Sequence, residues 1–499
     1  MKSNNKIHYL TVLCMKIYEG ILKNGKIGRF LHLFLPILCF CGTLTGVFFV
    51  VGCNSDRQES KVAACSEAVQ FEPIGSDYFS IGRLCRVDVA VVRSVVGKDT
   101  LVHKYVMTDS AAAGLGTDLR RRGFPEEWQS AFVLRVPLKR VVTLSTAQVG
   151  YMLRLGLRDN IIGVSDGQYI VDSILYERAQ QKSVASIGYD AGALEKLMAI
   201  SPDLVLDFTT GGDYDNYEQI ARTSLPLMLT SEWQESSALA KLEWIKLYGI
   251  LFGIRPLADS IYEQEKNKYE TLKALIANSA FRNGGVAGVP PARGGSERRK
   301  EIPACAGMTN GCSEGETSPD NNSEKNLSSL VSRLSSKDSL SSLVSRLSSN
   351  KCPRVLAGMS YGGVWHASGG NSFTANLVRD AGGCYLWASD TSRELTFSFE
   401  QVYALADSVD VWVNPSMFAT ADEILALEPR VKNIKAFREK KVFQNDGRKG
   451  AGAGNDFYEG AITRPAELLW NLTKCIKGAV PGVNSIDTSY KWYRNIYNF

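Results

Sequence analysis

Short apolar runs recur along the chain, each separated from the next by enough residues for one amphipathic helix. Val141-Val142-Thr143-Leu144 is such a run; Gln148–Leu157 follows with an apolar face, and Ile161-Ile162-Gly163-Val164 comes next. Glu195–Ile200 again has helical spacing, Ser201-Pro202-Asp203 reads as a turn, and Leu204-Val205-Leu206 is the third run. Continuous rather than alternating apolar residues mark strands buried on both faces, as in a parallel sheet flanked by helices. Trp244–Ala280 is helical in pattern, broken once near Gly253–Pro256. The alternation resumes at Arg354–Ala357 and continues through Val409–Val413 and Lys441–Phe443. The expected fold class is therefore α/β, with two Rossmann-like lobes, each built on a central, mostly parallel sheet, joined by one long helix. Ahead of them, Val87–Val96 and Leu101–Met107 flank the turn-forming Gly97-Lys98-Asp99 and predict a small N-terminal β-hairpin region.

Two stretches break this pattern. The first is the N-terminus, where basic residues precede an apolar run from Phe30 to Val51, the order of a secretory signal. The run ends Val50-Val51-Gly52-Cys53, which resembles a bacterial lipobox, with the Cys53 thiol as the lipid acceptor. An uncleaved transmembrane helix is the other reading, since the run is long enough to span a bilayer. Met15 is an alternative start. Either reading places the body in the periplasm or another extracytoplasmic space, tethered to the membrane. The second stretch is 281–352. Its first part is rich in Gly, Pro and Arg, Ile302–Asn310 resembles peptides from in-frame dispersed bacterial repeats, and the decamer LSSLVSRLSS occurs at 327–336 and again at 340–349. Its serine content opposes a stable helix, and two copies are too few to build a stacked array, so a disordered insertion is expected. The expected organisation is a signal peptide with lipobox at 1–52, a polar tether at 53–77 and a β-rich segment at 78–138. Lobe 1 follows at 139–242, the connecting helix at 243–280, the insertion at 281–352, lobe 2 at 353–480 and a C-terminal tail at 481–499.

Charge and cysteine usage narrow the function. Residues 1–52 carry six basic side chains and one acid, which accounts for the whole formal charge of +5. A neutral body offers no electrostatic basis for binding nucleic acid. Beyond the targeting segment lie Cys65, Cys85, Cys305, Cys312, Cys352, Cys384 and Cys475, without a CxxC pair, so a zinc or iron–sulfur site is not expected. One or two disulfides suit the compartment, with the pairing left open.

Pro137–Ser165, PLKRVVTLSTAQVGYMLRLGLRDNIIGVS, resembles the opening of the ABC-importer substrate-binding proteins that take up iron–siderophore, haem and cobalamin. Leu194–Leu206 (LEKLMAISPDLVL) is similar to that family's most recognisable segment, and Trp365–Ser372, Leu377–Gly383 and Phe399–Val413 match its second lobe. Asp456–Pro465 (DFYEGAITRP) resembles a C-terminal segment of a lipoprotein branch. The resemblance covers roughly 137–280 and 353–478. It implies a binding protein without catalysis that hands a metal chelate, ferric siderophore ahead of cobalamin and haem, to an ABC permease.

Ligands of open α/β lobes sit beyond the carboxyl ends of the strands, so the loops there supply the candidates. In lobe 1 these are Ser145 and Thr146, then Asp166, Gln168 and Tyr169, then Phe208, Thr209 and Thr210. In lobe 2 they are Tyr361, Trp365, His366, Trp387, Arg393, Met417 and Phe418, with Lys449 and Tyr458 later. Aromatic faces suit a macrocycle or catecholate, and Arg393 and Lys449 suit an anionic chelate, although Trp365 and Trp387 also suit the core of the lobe and Arg393 a plain surface charge. His366 and His103 are the only histidines beyond the targeting segment, too few for a bare-metal site, while one histidine suffices as an axial ligand. The resemblance further implies that Glu195 and Glu400, near the starts of matching helices, meet arginines on the permease. A nitrogenase- or chelatase-like enzyme on a related two-lobed fold is the competing class. The sequence shows no phosphate loop, nucleophile motif or ligand cluster for it, so neither enzymatic chemistry nor a resident cofactor is expected.

Overall fold

The computed structural model describes residues 68–97, 99–109, 119–190, 192–212, 215–282, 352–392, 394–415, 418, 420–478 and 491–498. Cys53, Arg393, Met417 and almost all of the insertion lie outside these residues. The chain separates into two units, 1–61 and 62–499, and every described residue belongs to the second.

The N-terminal hairpin is the centre of a larger layer. Strands β1 (Gln70–Phe71), β2 (Phe79–Leu84), β3 (Val87–Val96), β4 (Asp99–Asp109) and β5 (Phe132–Val136) form one five-stranded sheet in sequence order. Phe79, Ile81, Ala90, Val92, Tyr105 and Met107 join the same hydrophobic core as lobe 1, with the Phe79 ring 4.6 Å from Trp244. The polar stretch expected as a tether is thus structured at its end: Gly75 donates its N–H to Glu243, and the Ser76 hydroxyl bonds Glu235.

Lobe 1 holds β6 (Val141–Thr143), β7 (Ile161–Val164), β8 (Ala185–Ser186), β9 (Leu204–Asp207) and β10 (Leu227–Leu229), all parallel, in the order β10-β9-β6-β7-β8. Lobe 2 holds β11 (Arg354–Ala357), β12 (Met359–Tyr361), β13 (Val364–Ser368), β14 (Cys384–Tyr385), β15 (Glu394–Ser398), β16 (Val411–Val413), β17 (Val442–Gln444) and β18 (Arg494–Asn495). Its main sheet runs β14-β11-β16-β17-β18, with only β18 antiparallel, and β12-β13-β15 form a small antiparallel sheet beside it. The C-terminal residues are more than a tail: β18 pairs with β17, and Trp492 and Ile496 are fully buried in lobe 2. A disulfide joins Cys352 to Cys384 at the base of β11 and β14, and Cys85 is also disulfide-bonded.

The expected long helix is two helices, Ile245–Leu251 and Arg255–Arg282, with Gly253 at positive φ in the break. The second has 28 residues, about 42 Å of α-helix, and touches both lobes. Buried Glu265 pairs with Arg154 of lobe 1 at 3.1 Å, and Tyr269 donates to Asp380 of lobe 2 at 2.7 Å. No helix of the described residues is long and apolar enough to cross a membrane.

Candidate functional site between the lobes

Each lobe-1 strand ends in a loop whose backbone needs partners, and the loop residues supply them. Ser145 caps the helix Thr146–Arg154 by accepting the Ala147 N–H, in a capping box with Gln148. Gln148 is fully buried; its amide oxygen accepts from Leu144 and Ser145 while its nitrogen donates to Asp207 and Thr230, locking the ends of β6 and β9 together. Thr209 is buried and donates to Asp215, so it shapes the loop and does not line the surface. Two of the side chains these loops leave exposed are aromatic: Tyr169 after β7 and Tyr189 after β8 are 45% and 49% exposed. They border a pocket of about 340 Å³ with Leu144, Ser145, Thr146, Ser165 and Phe208.

The remaining wall of that pocket, Ala453, Asn455 and Tyr458, comes from the other half of the chain. After β17 the chain leaves lobe 2 as a strap, residues 445–463, and lies against lobe 1. Ala453 donates to Gln168 O, Thr146 donates to Tyr458 O, and an ideal Cβ on Gly454 would stand 2.4 Å from Tyr169 O. Glu459 completes the attachment. Its buried carboxylate accepts the N–H groups of Val171 and Asp172 at 2.9 and 3.0 Å, and Gly150 lets the helix Thr146–Arg154 come against the Glu459 backbone. The carboxyl edges of the two sheets are therefore joined by a short segment and share one side of the molecule, where the strap carries Tyr458, 57% exposed, to the rim.

Two acids on this side are held away from their ordinary range. Burial raises Asp207 to about 7 against the opposing Phe208 N–H, and burial raises Glu459 to about 7 against its two backbone donors. A carboxyl raised in the fold binds its proton more tightly there than in the unfolded chain. Each group's stabilising protonation is complete at low pH and is lost as pH rises through about 7, with Glu459 and Asp207 each removing about 2 kcal/mol between pH 5 and 8. Urea unfolding at pH 5 and 8 is expected to show that decline, and Asp207→Asn/Glu459→Gln to flatten it; an unchanged slope in the double variant would show that other groups set it.

In lobe 2, period-two alternation along β13 separates neighbours that looked alike in the sequence. Trp365 points inward, fully buried, its indole N–H donating to Ala357 O at 3.1 Å, so it belongs to the core and not to the site. His366 points outward, opposite Thr396, into a pocket of about 310 Å³ with Ser368, Thr374, Glu394 and Asn414. Tyr361 lies 6.1 Å from the His366 ring and stacks on Phe418 at 6.0 Å. Trp387 is half-buried and stacks on Phe397 at 4.9 Å. Gln168 is exposed but folds its amide back onto Asp166, and Lys449 pairs with Asp446 at 2.8 Å. The structure thus gathers Ser145, Thr146, Tyr169 and Tyr458 at one pocket and places His366 at another, with the Tyr361 ring beside the imidazole. His103 lies elsewhere, hydrogen-bonded to Tyr217 where the N-terminal sheet meets lobe 1. Among the described residues no three His, Cys, Asp or Glu side chains are grouped to hold a metal ion.

Glu195 and Glu400 occupy equivalent places, and hydrogen bonds establish the equivalence. In lobe 1 Asp203 accepts the Arg140 N–H through its carboxylate and donates its own N–H to Arg140 O. In lobe 2 Asp410 does the same to Arg354. The helices before these turns, Ala193–Ile200 and Phe399–Tyr403, each carry the glutamate in their first turn, exposed. Glu400 also pairs with Arg430 at 2.7 Å, whereas hydrogen bonds and the Arg430 pair hold its carboxyl below the usual range.

No family model matches the chain, and no curated protein matches it. Solved structures that resemble it include periplasmic binding proteins. A periplasmic haem-binding protein from Pseudomonas aeruginosa is 14% identical with a TM-score of 0.43, covering 69% of this chain and 94% of that one. The periplasmic vitamin B12-binding protein of Vibrio cholerae is 12% identical with a TM-score of 0.40, covering 68% and 97%. A protein of an ABC-type Fe3+-hydroxamate transport system from Saccharomonospora viridis is 16% identical with a TM-score of 0.41, covering 68% and 94%.

Proposed function

We propose that this protein is an extracytoplasmic solute-binding lipoprotein that captures a metal chelate between its lobes and delivers it to an ABC permease. The observation that carries the reading is the pocket where Tyr169 and Tyr189 of lobe 1 meet Tyr458 of the strap, three rings left in water beside hydroxyls at the strand ends. Exposed aromatic rings converging on one concavity are unusual unless something covers them. Their flat faces suit the organic shell of a chelate better than a bare ion, which needs a cluster of ligating side chains. The disulfide Cys352–Cys384 supports an oxidising compartment, and acylation of Cys53 is the proposed tether. Glu195 and Glu400 are the proposed permease contacts, set on equivalent turns of the two lobes.

Ferric siderophore is the favoured ligand. Cobalamin or haem is the second reading, because His366 projects into the lobe-2 pocket beside Tyr361, where an imidazole can serve as an axial ligand. Calorimetry with ferric hydroxamate, ferric catecholate, cobalamin, haem and free metal ions separates these. Tight binding of one chelate is expected; tight binding of a divalent ion and of no chelate would overturn the proposal. A Soret or corrin band that shifts in His366→Ala would favour the second reading over the first.

A further inference from the structure

Glu195 and Glu400 each have an apolar companion. One turn on from Glu195, on the same helix face, is Met198, 56% exposed; one turn on from Glu400 is Tyr403, 45% exposed. The basic neighbours do not cover these pairs equally. Lys196 is drawn back, its Nζ donating to Ile187 O at 2.8 Å. Arg430 lies over the Phe399 ring at 4.2 Å and spans Glu400 and Glu428, yet the Glu400 side chain stays 71% exposed.

We propose that Glu195 with Met198, and Glu400 with Tyr403, are two copies of one composite contact. The occupant is a membrane protein that presents a cation beside an apolar recess twice, once to each lobe. This rests on the permease-docking reading above and extends it. Two equivalent patches on pseudo-repeated lobes fit a partner that itself carries the same surface twice. Carboxylates beside each anchor disfavour phosphate-rich lipid surfaces, which attract basic segments instead. Exposed ion pairs steer and orient but hold weakly and are screened by salt. The apolar anchors supply the part of the attachment that salt does not remove.

The test places a photo-cross-linking residue at exposed Ala199 or Ala404 of the full-length lipoprotein in its native host and identifies the product by mass spectrometry. Both positions are expected to label one multispanning membrane protein. Met198→Ser/Tyr403→Ser should reduce that labelling roughly tenfold or more at low and high salt alike. Glu195→Lys/Glu400→Lys should reduce it mainly at low salt. Labelling by the serine variant equal to wild type, with the lysine variant impaired, overturns the anchors and leaves docking standing. Indifference to both double variants, or lipid as the only product, overturns the docking reading itself.

Discussion

Gly150→Val is expected to lower the stability of the body by about 3 kcal/mol and to weaken ligand capture in the same protein. On an open helix the sign would be opposite, since glycine in a helix interior costs about 1 kcal/mol relative to alanine. Here a Cβ at position 150 would stand 2.0 Å from Glu459 O and 2.9 Å from its carbonyl carbon. The strap cannot step aside cheaply, because the Glu459 carboxylate is fixed on the N–H groups of Val171 and Asp172. Displacing it leaves two part-buried donors and a buried carboxylate without partners, and carries Tyr458 away from the pocket. Urea unfolding and calorimetry on the same preparation measure both effects. A variant with wild-type midpoint and affinity would mean that the strap does not hold the pocket together.

Tyr169→Ala/Tyr458→Ala is expected to cost about 100-fold in chelate affinity, at about tenfold for each ring removed. The two rings line one pocket from opposite halves of the chain, so the losses need not add and the single variants belong in the experiment. Stability should change by less than about 0.5 kcal/mol, because both side chains are largely exposed and anchor no core. That separation distinguishes this variant from Gly150→Val, in which affinity falls through the scaffold. Unchanged affinity with every chelate tested would move the site elsewhere, with the lobe-2 pocket around His366 next in line.

The main strands were legible because burial on both faces demands unbroken apolar runs, and β7 and β11 fall where those runs lie. The short strands β8 and β10 were not, since two or three residues carry no period. Tyr189 was missed with β8, whose end it follows. The β12-β13-β15 sheet was hidden by glycines and by a polar face, although its alternation decides that Trp365 is core and His366 is not. Ser145 and Thr209 were found as strand-end hydroxyls, but their geometry shows a helix cap and a loop brace, roles the same residue types fill in any fold. Glu459 lies in the DFYEGAITRP segment, but nothing local marks its role. Its partners lie 288 and 287 residues away, and a carboxylate that binds backbone N–H groups imposes no side-chain pattern on the segment it binds.

The Arg255–Arg282 helix and the 445–463 strap attach the lobes to each other at two separated places. A pair of bodies pinned at one point keeps a soft twisting mode; pinned at two, it keeps little of either twist or gape. Under the proposed function, a bound chelate then escapes through small motions of rim side chains, so dwell time should follow affinity and not a rate of lobe opening. Under the same proposal, faster release requires work on the protein from outside, and the surface proposed to receive it is the one where Glu195 and Glu400 stand.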